Sequence, residues 1–174
     1  AEIAIQSSLT GHLVFSTLHT NDAASAVTRL IDMGIEPFLV TSSVIAIIAQ
    51  RLVRVLCPKC KTAYIPDDES LANLGIEKRQ LDRHLLYRKQ GCASCMNTGY
   101  RGRTAIFEIL ILDDPIKSMV LKTSDSNQIS DAAMKRGMTN LLADGARKVL
   151  EGTTTIEEVF RVTRIIKRET DLEA

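Results

Sequence analysis

Leu13-Val-Phe-Ser-Thr-Leu18, leading through His19-Thr-Asn-Asp22 into the periodic apolar run Ala23–Met33, is the stretch on which the fold turns. Its first six residues are mostly apolar and β-favouring, and they read as a short strand buried on both faces. Asn21 or Asp22 then supplies a helix N-cap, and the helical periodicity that follows ends at Gly34. Upstream, Glu2–Leu9 carries Ile3, Ile5 and Leu9 among small residues and suits a helix ending at Gly11. Helix, strand, helix is the order of an α/β fold. Pro37 sits at the first turn of the next helix. The most apolar stretch, Phe38 to Leu56, is broken by Thr41, Ser42, Ser43, Gln50, Arg51 and Arg54. It is too polar for a membrane span and reads as a long buried helix.

Three zones emerge along the chain: 1–56, 57–103 and 104–174. The second holds all four cysteines, as Cys57-Pro-Lys-Cys60 and Cys92-Ala-Ser-Cys95. A CxxC turn aims two sulfurs at one point, so two such turns supply the four thiolates of a tetrahedral Zn²⁺ site. That pairing would close 61–91 into a loop around one metal. Four reduced thiols or two redox pairs are the competing readings, but a redox CxxC belongs at a helix start in a βαβ pattern. Cys57 instead follows a long apolar run, and Gly91 and Gly99 bracket the second pair. His84 is a spare ligand that a complete set of four cysteines does not need. The clusters Asp67-Asp-Glu-Ser70 and Glu77-Lys-Arg-Gln80 read as solvated surface.

The third zone opens on a strand-like run, Thr104 to Leu112, and continues as helices. Asp113 or Asp114 caps one, with Pro115 in its first turn. Ser126–Arg136 stops at Gly137, and Leu141–Leu150 stops at Gly152. Thr155-Ile-Glu-Glu158 has capping-box spacing and opens a last helix through Val159, Phe160, Val162 and Ile166.

Composition narrows the classes of function. With 174 residues, 45% apolar and 25% charged, the chain is globular and can hold one core plus a small appendage. A net charge of +1 gives no pull toward nucleic acid or anionic lipid, and the absence of tryptophan, with 4% aromatics, removes stacking platforms for bases. No basic n-region of a signal peptide is present, and metal-spaced thiols point to a reducing, cytoplasmic compartment. Without an initiator Met and opening in helix-like sequence, the chain is expected to be a piece of something longer.

The junction Ser16-Thr-Leu-His-Thr-Asn-Asp22 carries the most reactive-looking side chains. Ligands of open α/β sheets bind beyond the carboxyl ends of strands, where helix N-termini present free N–H groups. His19 at such an end can donate to a phosphate or orient a water, with Thr17 and Thr20 adding hydroxyls. The plainer reading makes Asn21 and Asp22 caps and His19 a loop residue. A seven-residue strand would separate His12 from His19 by roughly 20 Å, which suits His12 to a structural hydrogen bond or another surface. No G-x-x-x-x-G-K-[ST] phosphate loop, G-x-S-x-G elbow, H-E-x-x-H or G-x-G-x-x-G occurs. Gly99-Tyr-Arg-Gly-Arg103 reads as a turn into the following strand, and an arginine there or in Gln50–Arg54 can reach a neighbour's phosphate.

The segments LTGHLVFSTLHTNDAASAVTRL, GIEPFLV…AQRLVRVLC, CPKC…GCASC…GYRGRTAIFEIL and GTTTIEEVFRVT together resemble the C-terminal half of the ATPases of type II secretion. These are secretion-superfamily traffic motors shared with type IV pilus assembly. EPFLVTSS and GYRGRTAIFEIL look more like the type II branch. The resemblance runs over about the whole chain. It implies the C-terminal part of a RecA-like P-loop core, a tetracysteine zinc subdomain with Cys57, Cys60, Cys92 and Cys95 as ligands, and a C-terminal helical region. It further implies a cytoplasmic homo-hexamer that couples hydrolysis of ATP, with Mg²⁺, to work on inner-membrane secretion-platform proteins. TGHLVFSTLHTND matches the family's histidine box, which gives Thr10, His12 and His19 a role near the nucleotide. The family's phosphate loop, acidic metal-binding strand and N-terminal domain would lie upstream of Ala1, so these residues alone are expected not to hydrolyse ATP. A zinc-organised binding module without catalysis is the contrasting expectation.

Overall fold

The computed structural model describes residues 1–81, 85–123 and 125–170, with side chains described as far as residue 163. The elements, in order, are α1 (Glu2–Leu9), α2 (Ala23–Asp32), α3 (Pro37–Ser43), β1 (Ala46–Leu56), β2 (Thr62–Tyr64), α4 (Asp68–Leu74), β3 (Leu86–Arg88), β4 (Tyr100–Ile111), α5 (Asp114–Val120), α6 (Ser126–Lys135), α7 (Leu141–Leu150) and α8 (Ile156–Thr170). The fold is mixed α/β. Strands β1 and β4 form one two-stranded sheet and β2 and β3 another. By its internal contacts the chain divides into two compact units, 1–49 with 108–140, and 50–107 with 141–174. No helix among the described residues is long and apolar enough to cross a membrane.

Two expected elements differ. The strand at Leu13–Leu18 is not formed: residues 12–20 carry no regular structure, and Leu13 and Phe15 are 73% and 88% exposed. A strand exists only where a neighbour takes its N–H and C=O groups, and no described strand runs alongside this one. The long helix expected over Phe38–Leu56 stops at Ser43 and becomes β1. Thr41 and Ser42 hydroxyls donate back to the Phe38 carbonyl, and Ser43 to that of Leu39, local bonds that compete with helix continuation. Val44, Ile45, Ile47, Ile48, Val53 and Val55 then favour extended backbone. The inward positions of β1 are Ala49, Val53 and Leu56. Their i, i+4, i+7 spacing mimics one face of a helix, which explains the misreading.

In the first unit the helix ends follow their caps. The Asp22 carboxylate accepts the Ser25 N–H at 2.7 Å and starts α2, whose Ala23, Ala24, Ala26, Val27 and Leu30 are buried. Glu108 of β4, only 4% exposed, accepts the Ala23 N–H at 2.9 Å, so a second carboxylate meets the positive end of α2. Asp113 caps α5 and also takes the Arg136 guanidinium, which holds its carboxyl below the usual range. Ile116 and Val120 of α5 and Ile129 and Ala133 of α6 supply further buried side chains.

In the second unit β2 pairs antiparallel with β3, Ala63 opposite Tyr87. Leu71, Leu74, Ile76, Leu81 and Leu86 pack with Ala146, Val149, Ile156 and Val159 into one apolar cluster. Asp144 of α7 accepts the Phe107 N–H at 2.9 Å and pairs with Arg147. The capping box expected at α8 is half realised. The Thr155 hydroxyl takes the Glu158 N–H at 3.3 Å, but the Glu158 carboxylate turns away to other partners. Buried at 2% exposure, it accepts the Arg54 N–H at 3.1 Å, the Arg54 guanidinium and the Arg161 guanidinium at 3.0 Å.

Burial alone would raise the Glu158 pKa; the two arginines and the Arg54 N–H outweigh it and bring it down to about 2. The folded value lies below the ordinary one, so this charge stabilises the fold above about pH 4.5 and loses that contribution as pH falls toward about 2. The full shift corresponds to about 3 kcal/mol, and because both arginines are nearly half exposed, water takes part of it. Glu158→Gln should therefore lower the unfolding free energy at pH 7 by about 2 kcal/mol. In urea titrations it should also flatten the loss of stability between pH 4.5 and about 2; a variant as stable and as acid-sensitive as the parent would contradict this assignment.

Candidate metal centre and histidine segment

β1 ends at Leu56 and delivers Cys57 into a tight turn in which the Cys57 carbonyl accepts the N–H groups of Cys60 at 3.2 Å and Lys61 at 3.0 Å. The second turn is built alike: the Cys92 carbonyl accepts from Cys95 at 3.1 Å and Asn97 at 2.9 Å. Met96 and Asn97 follow in left-handed backbone, φ 51° and 58°. Gly99 closes that turn at φ 75°, where an added Cβ would fall 2.6 Å from the Lys89 Cβ. Only glycine fits there. Its carbonyl takes the Cys57 N–H at 2.9 Å, and this bond brings the two cysteine turns face to face.

The four Sγ atoms lie within 4.8 Å of one another. Cys57 to Cys92 is 3.9 Å, and Cys60 to Cys95 and Cys92 to Cys95 are each 3.8 Å. A tetrahedron with metal–sulfur arms of about 2.3 Å has edges of about 3.8 Å. The cluster has the size and the donor set for a thiophilic divalent ion. Cys57, Cys60 and Cys95 are buried and Cys92 partly so. Burial and the neighbouring thiols push Cys60 up to about 11, against an opposing N–H from Gly91. Burial acts the same way on Cys95, but the N–H groups of Cys92 (3.3 Å) and Gly99 (3.2 Å), together with the Cys92 and Cys60 thiols, outweigh it and bring that thiol down to about 6. Four sulfurs this close carry full negative charge only with a cation among them.

Thr10 and His12 meet at the end of α1. The Thr10 hydroxyl donates to the Ser7 carbonyl at 2.9 Å and lies 3.1 Å from His12 Nδ1, itself 3.3 Å from the same carbonyl. His19 is exposed in the irregular segment before α2, and among the described residues no hydrogen bond links it to that pair. Thr20 donates its hydroxyl to the Asp22 carbonyl at 3.1 Å, and Asp22 is the cap that the sequence foreshadows. His84 lies outside the described residues. Of the arginines expected near a phosphate, Arg54 spends its guanidinium on Glu158 and lies 4.2 Å over the Tyr100 ring. It lines, with Thr98, Tyr100, Gly102 and Arg103, a cavity of about 370 Å³. The Arg54–Glu158–Arg161 cluster has no signature in sequence beyond a capping-box glutamate, which local reading assigns to its own helix.

The order of these features along the chain is that of a known family: the chain belongs to the type II/IV secretion system protein family, whose model matches residues 1–161. It is 52% identical over 164 residues to the type II secretion system protein E of Pseudomonas aeruginosa, covering 94% of this chain and 32% of that protein. Identity to the type II secretion system ATPase E of Vibrio cholerae is 48% over 164 residues, with 94% and 32% covered. To the type IV pilus assembly ATPase PilB of Thermus thermophilus it is 45% over 163 residues, with 94% and 18% covered. The chain thus spans about a third or less of the length of these curated relatives.

Elemental analysis of purified chain should find one divalent transition-metal ion per molecule, and the four thiols should resist alkylation until a chelator is added. Cys92→Ser should leave the helices outside 57–103 folded by circular dichroism yet open 57–103 to protease. Freely reactive thiols together with uniform protease resistance would rule the centre out.

Proposed function

We propose that these residues work as part of an ATPase that powers type II protein secretion. The observation that carries this reading is the ordered family match over residues 1–161, at about half identity to a type II secretion protein. In this reading residues 1–56 belong to a RecA-like core, 57–103 form a zinc-binding subdomain and 104–174 lead into a C-terminal helical region. Cys57, Cys60, Cys92 and Cys95 hold Zn²⁺, and the sulfur spacing supports that assignment. A bound ion of this kind supplies structural closure, since four thiolates leave no open coordination position for chemistry. Thr10, His12 and His19 stand near the nucleotide, with His19 the residue that positions or senses its terminal phosphate. Its exposure at the foot of a doubly capped helix supports that role.

No phosphate loop occurs in these 174 residues. ATP and Mg²⁺ therefore bind, and hydrolysis proceeds, only in a longer protein that supplies one. That protein works as a cytoplasmic homo-hexamer on inner-membrane secretion-platform proteins, peripheral to the membrane and without nucleic acid. A type IV pilus assembly motor is the alternative that the 45% identical pilus ATPase keeps in view.

The test is ATP turnover. The 174-residue chain should show none, while a longer protein including a phosphate loop should be active. There His19→Ala should cut turnover by about a hundredfold, the usual scale for a lost positioning or acid–base group. Turnover by the 174 residues alone, or an unaffected His19→Ala variant, would overturn the respective assignment.

A further inference from the structure

The cysteine turns are held from outside by a single turn of chain between α7 and α8. Leu56, just before Cys57, donates its N–H to the Thr153 carbonyl at 2.8 Å. Lys61, just after Cys60, donates Nζ to the Gly152 carbonyl at 2.9 Å while lying 4.4 Å over the Tyr87 ring. Tyr100, on the strand leaving the second cysteine turn, places its hydroxyl 3.0 Å from Thr155 Oγ1. The Thr154 hydroxyl donates to the Arg54 carbonyl at 2.8 Å. Both flanks of Cys57–Cys60 and the outgoing flank of Cys92–Cys95 therefore end on residues 152–155.

That turn has no slack. Thr154 and Thr155 are 0% and 1% exposed. Gly152 sits at φ 67°, and a Cβ added there would fall 2.7 Å from Tyr87 Cδ2 and 3.2 Å from Lys61 Nζ. The close approach that lets Lys61 reach the carbonyl needs the bare backbone.

We propose that Gly152–Thr155 is the supporting layer of the metal centre, with Lys61, Tyr100 and Gly152 as positioning residues that fix the cysteine turns without offering a ligand atom. This rests on the reading of the four cysteines as a metal site. Partners behind a ligand set orient it and raise its affinity. By reciprocity, whatever the turn adds to metal affinity, metal occupancy adds to the order of the turn and of the start of α8. The C-terminal helices are then coupled to metal loading although the four sulfurs all come from residues 57–95.

Two measurements on the whole chain test this: Zn²⁺ affinity by chelator competition, and amide hydrogen exchange with and without Zn²⁺. Lys61→Met, which keeps the alkyl stem and loses the donor, should bind Zn²⁺ about tenfold more weakly, and Gly152→Ala more weakly still. In the unsubstituted chain, removing Zn²⁺ should speed exchange across residues 150–158 by about tenfold and leave α2 unchanged. Unaltered exchange over 150–158, or a Lys61→Met affinity within about twofold of the parent, overturns the supporting layer while the metal centre stands. No Zn²⁺ binding by the unsubstituted chain overturns the metal centre itself. Should Gly152→Ala fail to fold, Lys61→Met and the exchange of the parent chain still decide.

Discussion

Two cysteine turns that stand 35 residues apart in sequence meet within van der Waals reach of each other's sulfurs. Bringing the ends of such a loop together costs about 3 kcal/mol of chain entropy, and a three-residue strand pair, β2 with β3, is the only sheet inside it among the described residues. Short strands alone are marginal in water. The sulfur cluster, the Cys57 N–H bond to Gly99 and the apolar contacts of Leu71, Leu74, Ile76, Leu81 and Leu86 with α7 and α8 share the work of closing it. The second unit is organised around that closure.

The first unit offers a contrast in how the histidine segment is held. Residues 12–20 carry no regular secondary structure, and described hydrogen bonds flank them at both ends. At one end Thr10 and His12 turn back onto the Ser7 carbonyl. At the other, Asp22 and the buried Glu108 fix the first turn of α2. His19, carried on this segment, is exposed just before the capped first turn of α2. That arrangement suits a group that meets a ligand better than one that fills a core.

What could be read from the sequence was what is decided locally. Asp22 and Asp113 as caps, Gly11 and Gly34 as helix ends and the strand-like run from Thr104 to Leu112 each depend on neighbours a few positions away. The cysteine pairs belong here too, because a CxxC turn fixes two sulfurs by its own backbone. The errors share one cause. Leu13–Leu18 has strand composition without a strand beside it, and β1 hides its extended backbone behind helically spaced buried residues. Glu158 has capping-box spacing, yet its carboxylate is drawn away by a distant arginine. The missing neighbour of Leu13–Leu18, the pairing of β1 with β4 and the Arg54 bond to Glu158 all involve chain far off in sequence, which no local pattern encodes.

The Arg54–Glu158 pair spans 104 positions. Its carboxylate is buried, so losing the Arg54 side chain leaves that charge with one guanidinium, Arg161, in place of two, and losing Glu158 leaves the Arg54 N–H without its acceptor. A change at one position therefore alters what the other must bond to, and a double substitution that removes both charges should cost less than the two single changes added together. A chimera that joins the strand of one family member to the last helix of another would inherit that bond as a compatibility requirement.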